Sequence, residues 1–137
     1  MRDSIVIYCD GGARGNPGPA AVGAVVLDPS TDPPTRLATI SERIGVATNN
    51  VAEYKALIAG LEAAREHPAR AVRVRADSQL LIRQLEGKYR VKNAGLRPLY
   101  EHARAMLAAY DEVDLAHVPR EENVVADALV NDALDGG

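Results

Sequence analysis

Four carboxylates stand where the chain changes pattern. Asp10 follows the strand-like run SIVIYC and precedes two glycines, and Glu53 lies beside Tyr54 early in a helix-periodic stretch. Asp77 closes the run AVRVRA, and Asp127 interrupts the apolar segment VVADALV. Each has an ordinary local reading. Asp-Gly after an alternating apolar run is a turn signal. Glu53, three residues after Asn50, has the spacing of a variant capping box. Asp77 before Ser78 suits a helix cap, and Asp127 suits a solvated helix face. Two details pull the other way. The segment after Asp10 is long for a tight hairpin, and Glu53 falls at the margin of a buried face, where an acid needs a partner.

Brought together, the four would define a chemistry. Carboxylates ~4 Å apart repel by about 4 kcal/mol per pair at an effective dielectric of ~20, so such a cluster requires protons or cations. All-oxygen ligation favours a hard cation, Mg²⁺ or Mn²⁺, and no His or Cys cluster has zinc-like spacing. Two such ions ~3.5 to 4 Å apart can activate a water and steady a leaving oxygen, which suits phosphodiester hydrolysis.

The elements that would have to position these acids are legible as a coarse α/β pattern. Residues 4–10, 20–28 and 36–46 read as strands, the first two separated by GGARGNPGP and the third more polar, as at a sheet edge. These three are expected to be antiparallel. Tyr54, Leu57, Ile58 and Leu61 mark an amphipathic helix from Asn50 to about His67-Pro68. Strand 71–76, helix 78–86, helix 95–109, strand 112–117 and helix 123–133 follow, so the second half should be partly parallel. Asp77 would then sit at a C-terminal strand end, where ligands of α/β sheets collect.

Length and composition bound the rest. The 137 residues, 47% of them hydrophobic, suit one domain with a continuous core. The single cysteine, Cys9, forms no internal disulfide, no apolar run approaches a membrane span, and residues 1–10 lack the order of a secretory signal. A cytoplasmic protein is the expectation. The net charge of −3 argues against gripping nucleic acid by bulk electrostatics, so any such contact must be local. Arginine outnumbers lysine 13 to 3, which genome composition explains as well as a preference for forked phosphate contacts.

Four segments, YCDGGARGNPGPA (8–20), TNNVAEYKAL (48–57), ADSQL (76–80) and HVPREENVVADAL (117–129), resemble type 1 ribonuclease H, in family order across nearly the whole chain. The resemblance implies a five-stranded mixed sheet with helices on both faces. It implies endonucleolytic cleavage of the RNA strand of an RNA-DNA hybrid, leaving 5′-phosphate and 3′-hydroxyl ends. It places the family's metal ligands on Asp10, Glu53, Asp77 and Asp127, with two Mg²⁺ ions, Mn²⁺ as substitute, and a monomer as the working form. Substrate contacts fall on Asn16, Asn49 and Gln79; Arg14 and the backbone amides of Gly11, Gly12 and their neighbours to Gly15 are further candidates. Lys88, Arg90, Lys92 and Arg120 are candidate phosphate contacts, each equally readable as a solvated charge. Only RNA offers 2′-hydroxyls, which gives strand selectivity a basis, while phosphate and sugar contacts leave sequence preference weak.

Two departures stand out. Many bacterial members carry a basic insertion after the second helix, whereas here GKYRVKNAG joins the helices directly. A family histidine that assists product release has His117 as its counterpart, but in a V-P-R context, with Arg120 as an alternative. Rival readings are another nuclease of this fold or a binding module whose acids are structural. A phosphate-cradling loop is disfavoured because GGARGNPG lacks the G-K-[ST] ending. Some relatives continue into a second catalytic domain, so residues 1–137 are read as one catalytic domain, whole or the N-terminal part of something longer.

Overall fold

In the computed structural model, which describes residues 1–136, the apolar alternation of the N-terminal segment becomes one long strand, β1 (Arg2–Ala13). It pairs antiparallel with β2 (Gly18–Asp28), which pairs antiparallel with β3 (Thr35–Ala47). The chain then forms α1 (Asn49–Ala64), β4 (Ala69–Ala76), α2 (Gln79–Leu85), α3 (Arg97–Leu107), β5 (Glu112–His117) and α4 (Val124–Asp135), with a short 3-10 turn at Arg120–Glu122. The sheet order is β3-β2-β1-β4-β5, with β4 parallel to β1 and β5 parallel to β4. The polar third strand is an edge, as its composition suggested.

Period-2 burial explains how the sheet carries helices on both faces. Ile5, Ile7 and Cys9 of β1 join Val22, Ala24 and Val26 of β2 and Val72 and Val74 of β4 in the main core. That face is covered by α1, whose Tyr54, Leu57, Ile58 and Leu61 are all buried. Truncating a fully buried leucine such as Leu57 to alanine costs about 2–5 kcal/mol. On the opposite face α4 packs over β1, β2 and β3, with Ala126 and Val130 buried. No helix among the described residues is long and apolar enough to cross a membrane.

One expectation is corrected. Asp10 does not end its strand, and the glycine-rich segment does not resist the ladder: β1 and β2 stay paired from Asp10↔Gly23 to Ala13↔Ala20. The glycines allow helices to lie close to this paired backbone. A Cβ on Gly11 would overlap the Ala52 carbonyl of α1, and one on Gly23 would overlap the Ala126 carbonyl of α4. Pairing satisfies backbone groups that the two helices bury.

Candidate active site

The local alternatives for the four acids fail one by one. Asp10 lies inside the ladder, so it forms no turn. Helix α1 is capped by Thr48, whose hydroxyl accepts from Val51 N at 3.2 Å, and Glu53 sits beyond the first turn, out of place for a capping box. Helix α2 is capped by Ser78, which accepts from Leu81 N at 3.2 Å, leaving Asp77 free of that task. Asp127 is half-buried, its side chain 29% exposed, and it lines a cleft rather than a solvated face.

That open cleft, about 400 Å³, is lined by Asp10, Glu53, Asp77 and Asp127 together with Gly12, Arg14, Asn49, Asn50, Arg120 and Asn131. Carboxylate oxygens of Asp10, Glu53 and Asp77 lie within 4.8 Å of one another. Asp127 stands beside Asp10 and is outside that tight group; Arg120 Nη2 reaches its Oδ1 at 3.4 Å. Three elements converge here: β1 carries Asp10, α1 carries Glu53, and the C-terminal end of β4 delivers Asp77. The fourth, α4, brings Asp127 because it approaches β2 closely over Gly23, the residue paired with Asp10.

The electrostatics match a cation site. Burial, then the neighbouring charge of Asp77, raises the Asp10 carboxyl to about 7. Burial and the charge of Asp10 push Glu53 well above its ordinary value, partly opposed by the hydrogen bond from Gly11 N. Glu53 is buried, and its Oε1 accepts that bond at 2.5 Å, the partner a buried acid needs. Without a cation the site retains protons; a divalent ion would replace them. The donor set is all oxygen, which fits Mg²⁺ or Mn²⁺.

The remaining expected residues divide. Gly11 is buried and its amide donates to Glu53, while the amides of Ala13 and Arg14 donate to Asn49 Oδ1 and Pro19 O, both at 2.8 Å. Gly11 thus holds an acid in place rather than offering its amide to a ligand; Gly12 borders the cleft. Asn16 Oδ1 accepts from Asn49 N at 3.0 Å, so the two asparagines tie the β1–β2 hairpin to the start of α1, with both side-chain NH₂ groups left to donate. Gln79 is exposed in the first turn of α2. Arg14 borders the cleft and pairs with Asp135 at 2.5 Å. His117 is exposed, with Nε2 3.2 Å from the Asp77 carbonyl oxygen, and Arg120 rather than His117 lines the cleft. Lys88, Arg90 and Lys92 are exposed between α2 and α3 and do not line the cleft. The sequence reading missed Asn50 and Asn131, which carry no signal beyond their polarity, and Asn123, which looked like an ordinary helix start.

Residues 8–133 match the protein family described as reverse transcriptase-like. The N-terminal RNase H domain of a Mycobacterium tuberculosis protein, solved as a fusion with maltose-binding protein, superposes with a TM-score of 0.91 at 46% identity, covering 96% of this chain and 99% of that one. RNase H1 from the archaeon Halobacterium salinarum gives a TM-score of 0.90 at 44% identity, covering 98% and 99%. The compost-derived LC11-RNase H1, solved in complex with an RNA/DNA hybrid, gives 0.87 at 41% identity, covering 96% and 97%. The chain belongs to the reverse transcriptase-like family and, within it, to the type 1 ribonucleases H. It spans about a third of a curated relative, the "bifunctional protein" of M. tuberculosis, with 47% identity over 131 residues, and 63% of the H. salinarum ribonuclease HI, with 48% over 128 residues.

Proposed function

We propose that this chain is an endonuclease that hydrolyses the RNA strand of RNA-DNA hybrids with two divalent ions, Mg²⁺ or Mn²⁺, leaving 5′-phosphate and 3′-hydroxyl ends. The observation that carries the reading is the convergence of Asp10, Glu53 and Asp77 within 4.8 Å, with Asp127 beside them, in an open cleft. Asp10, Glu53 and Asp77 would hold metal, and Asp127 would complete the set from α4. When bound, the ions would supply water activation and neutralisation of charge at the scissile phosphate.

The chain's own groups do the rest. Gly11 N fixes the Glu53 carboxylate. The NH₂ groups of Asn16 and Asn49 and the exposed amide of Gln79 are donors for sugar and base edges of the hybrid; Arg14 and Arg120, at the cleft, suit phosphates. Arg120 is better placed than His117 to assist departure of the cleaved phosphate, because it lines the cleft and His117 does not. All these residues come from residues 10–127 of one chain, so a single domain acting as a monomer suffices.

The test compares cleavage of an RNA-DNA hybrid, duplex RNA and duplex DNA of one sequence with Mg²⁺ or Mn²⁺. Hybrid-selective cleavage of the RNA strand, with the stated end groups, is expected. Equal activity on duplex DNA would refute the assignment and favour a general nuclease of this fold. Hybrid binding without cleavage would favour a binding module.

A further inference from the structure

Asn123 opens α4, the position at which an asparagine side chain normally accepts from a free amide of the first turn. Here it makes no such bond. Instead the side chain is turned into the protein, 1% exposed, with Nδ2 2.9 Å from the carbonyl oxygen of Cys9 and 3.4 Å from Oδ1 of Asp77. The carbonyl is solely an acceptor, and so is an ionised carboxylate. Turning the amide over would set its oxygen against both, so the nitrogen must face them. The amide oxygen is then left buried with no hydrogen-bond partner among the described residues. Neither capping nor full hydrogen bonding accounts for an asparagine at this place; the two acceptors do.

The same residue touches the site from three directions. Its side chain binds the neighbour of Asp10 and the carboxylate of Asp77, and its backbone carbonyl accepts from Asp127 N at 3.0 Å. We propose that Asn123 is a positioning residue: its amide fixes the Asp77 carboxylate against β1 and so sets the metal affinity of the acidic cluster. This inference rests on the metal-site reading above. Groups that orient metal ligands typically change affinity or activity ten- to a hundred-fold when removed.

The experiment measures Mn²⁺ binding by calorimetry, without nucleic acid, for the parent chain, Asn123→Ala, Asp77→Asn and the double variant. It adds kcat and KM on a hybrid and the thermal midpoint in chelator. Asn123→Ala is expected to weaken Mn²⁺ binding at least tenfold and lower kcat by a similar factor, with KM within about threefold. In the Asp77→Asn background the same change should have less than a twofold effect on Mn²⁺ affinity. A purely structural role predicts a lower midpoint with Mn²⁺ affinity and kcat within twofold of the parent, and that result would overturn the proposal. If the alanine variant does not fold, Asn123→Ser replaces it; a fivefold loss of affinity supports the proposal and a loss under twofold overturns it. A parent chain that binds no Mn²⁺ would overturn both this inference and the metal-site reading, whereas a parent that binds and cleaves normally beside unaffected variants would overturn this inference alone.

Discussion

Replacing Asp10 by asparagine should make the metal-free protein more stable while removing its activity. The carboxyl is raised from 3.8 to about 7, first by burial and then by the charge of Asp77. Such a displacement is worth at most about 4 kcal/mol between the protonated and ionised forms, and solvent screening in an open cleft reduces it to about 2 kcal/mol. The folded chain keeps the Asp10 proton between about pH 4 and 7, where the unfolded chain has already released it. The group's stabilising contribution is therefore full below its ordinary value and is lost as pH rises through about 7. Asparagine has nearly the same shape and no charge to desolvate, so its advantage should grow across that window and level off above it. At pH 8 in chelator the expected gain of about 2 kcal/mol corresponds to a midpoint raised by roughly 6 to 10 °C. Added Mn²⁺ should stabilise the parent and scarcely move the variant, and hybrid cleavage should fall by at least a hundredfold. Thermal unfolding at pH 5 and pH 8, with chelator and with Mn²⁺, reads all of this. A variant no more stable than the parent at pH 8 in chelator, or stabilised as much by Mn²⁺, would refute the reasoning.

Other perturbations follow from the same geometry. Gly23→Ala puts a Cβ into the Ala126 carbonyl and 2.9 Å from Leu129 Cβ, which should cost about 1–3 kcal/mol and lift α4. Because Asn123, which opens α4 and holds Asp77, and Asp127 would both move with the helix, Mn²⁺ affinity and cleavage should fall together; calorimetry and a hybrid assay on the same preparation check this. Tyr54→Phe removes the hydroxyl that donates to Gln84 Oε1 at 2.6 Å, leaving a buried acceptor unpaired at about 1–3 kcal/mol. Denaturant unfolding should show that loss, while cleavage under folding conditions stays within a few-fold because Glu53 keeps its bond from Gly11. Metal binding should release protons and tighten as pH rises toward 7, since Asp10 and Glu53 must give up protons to bind. Calorimetry in buffers of different ionisation enthalpy measures the release, and a pH-independent affinity between pH 5.5 and 7.5 would contradict it.

Much of the architecture was legible because it is written in short-range periodicity. The strand alternation, the Tyr54-Leu57-Ile58-Leu61 stripe and the polar edge strand all express burial on one face or none, and each element lies within a few residues of its expected place. The exception was the end of β1. Glycines after Asp10 carry a local turn preference, yet tertiary packing of two helices against the paired backbone overrode it. The role of Gly11 was misread for a related reason: an amide's partner 42 residues away leaves no trace in local pattern. Asn123 escaped notice because an asparagine before a helix already has a sufficient local explanation, and only the tertiary structure turns its side chain away from that role.

By itself, the sequence determined the number and kinds of elements, the candidate acids, and through four spaced motifs the family to which the chain belongs. It could not separate acids that cap or turn from acids that meet, because caps and turns are decided by neighbours within four residues and a metal cluster is not. Only the tertiary structure ruled out the local roles, by giving the caps to Thr48 and Ser78 and keeping Asp10 in the ladder. It also decided the grouping, with Asp10, Glu53 and Asp77 tight together and Asp127 one step away on α4. The physical reason is that electrostatic repulsion and desolvation depend on distance in space, and residues from β1, α1, β4 and α4 acquire those distances only when the sheet and both helix layers close around them.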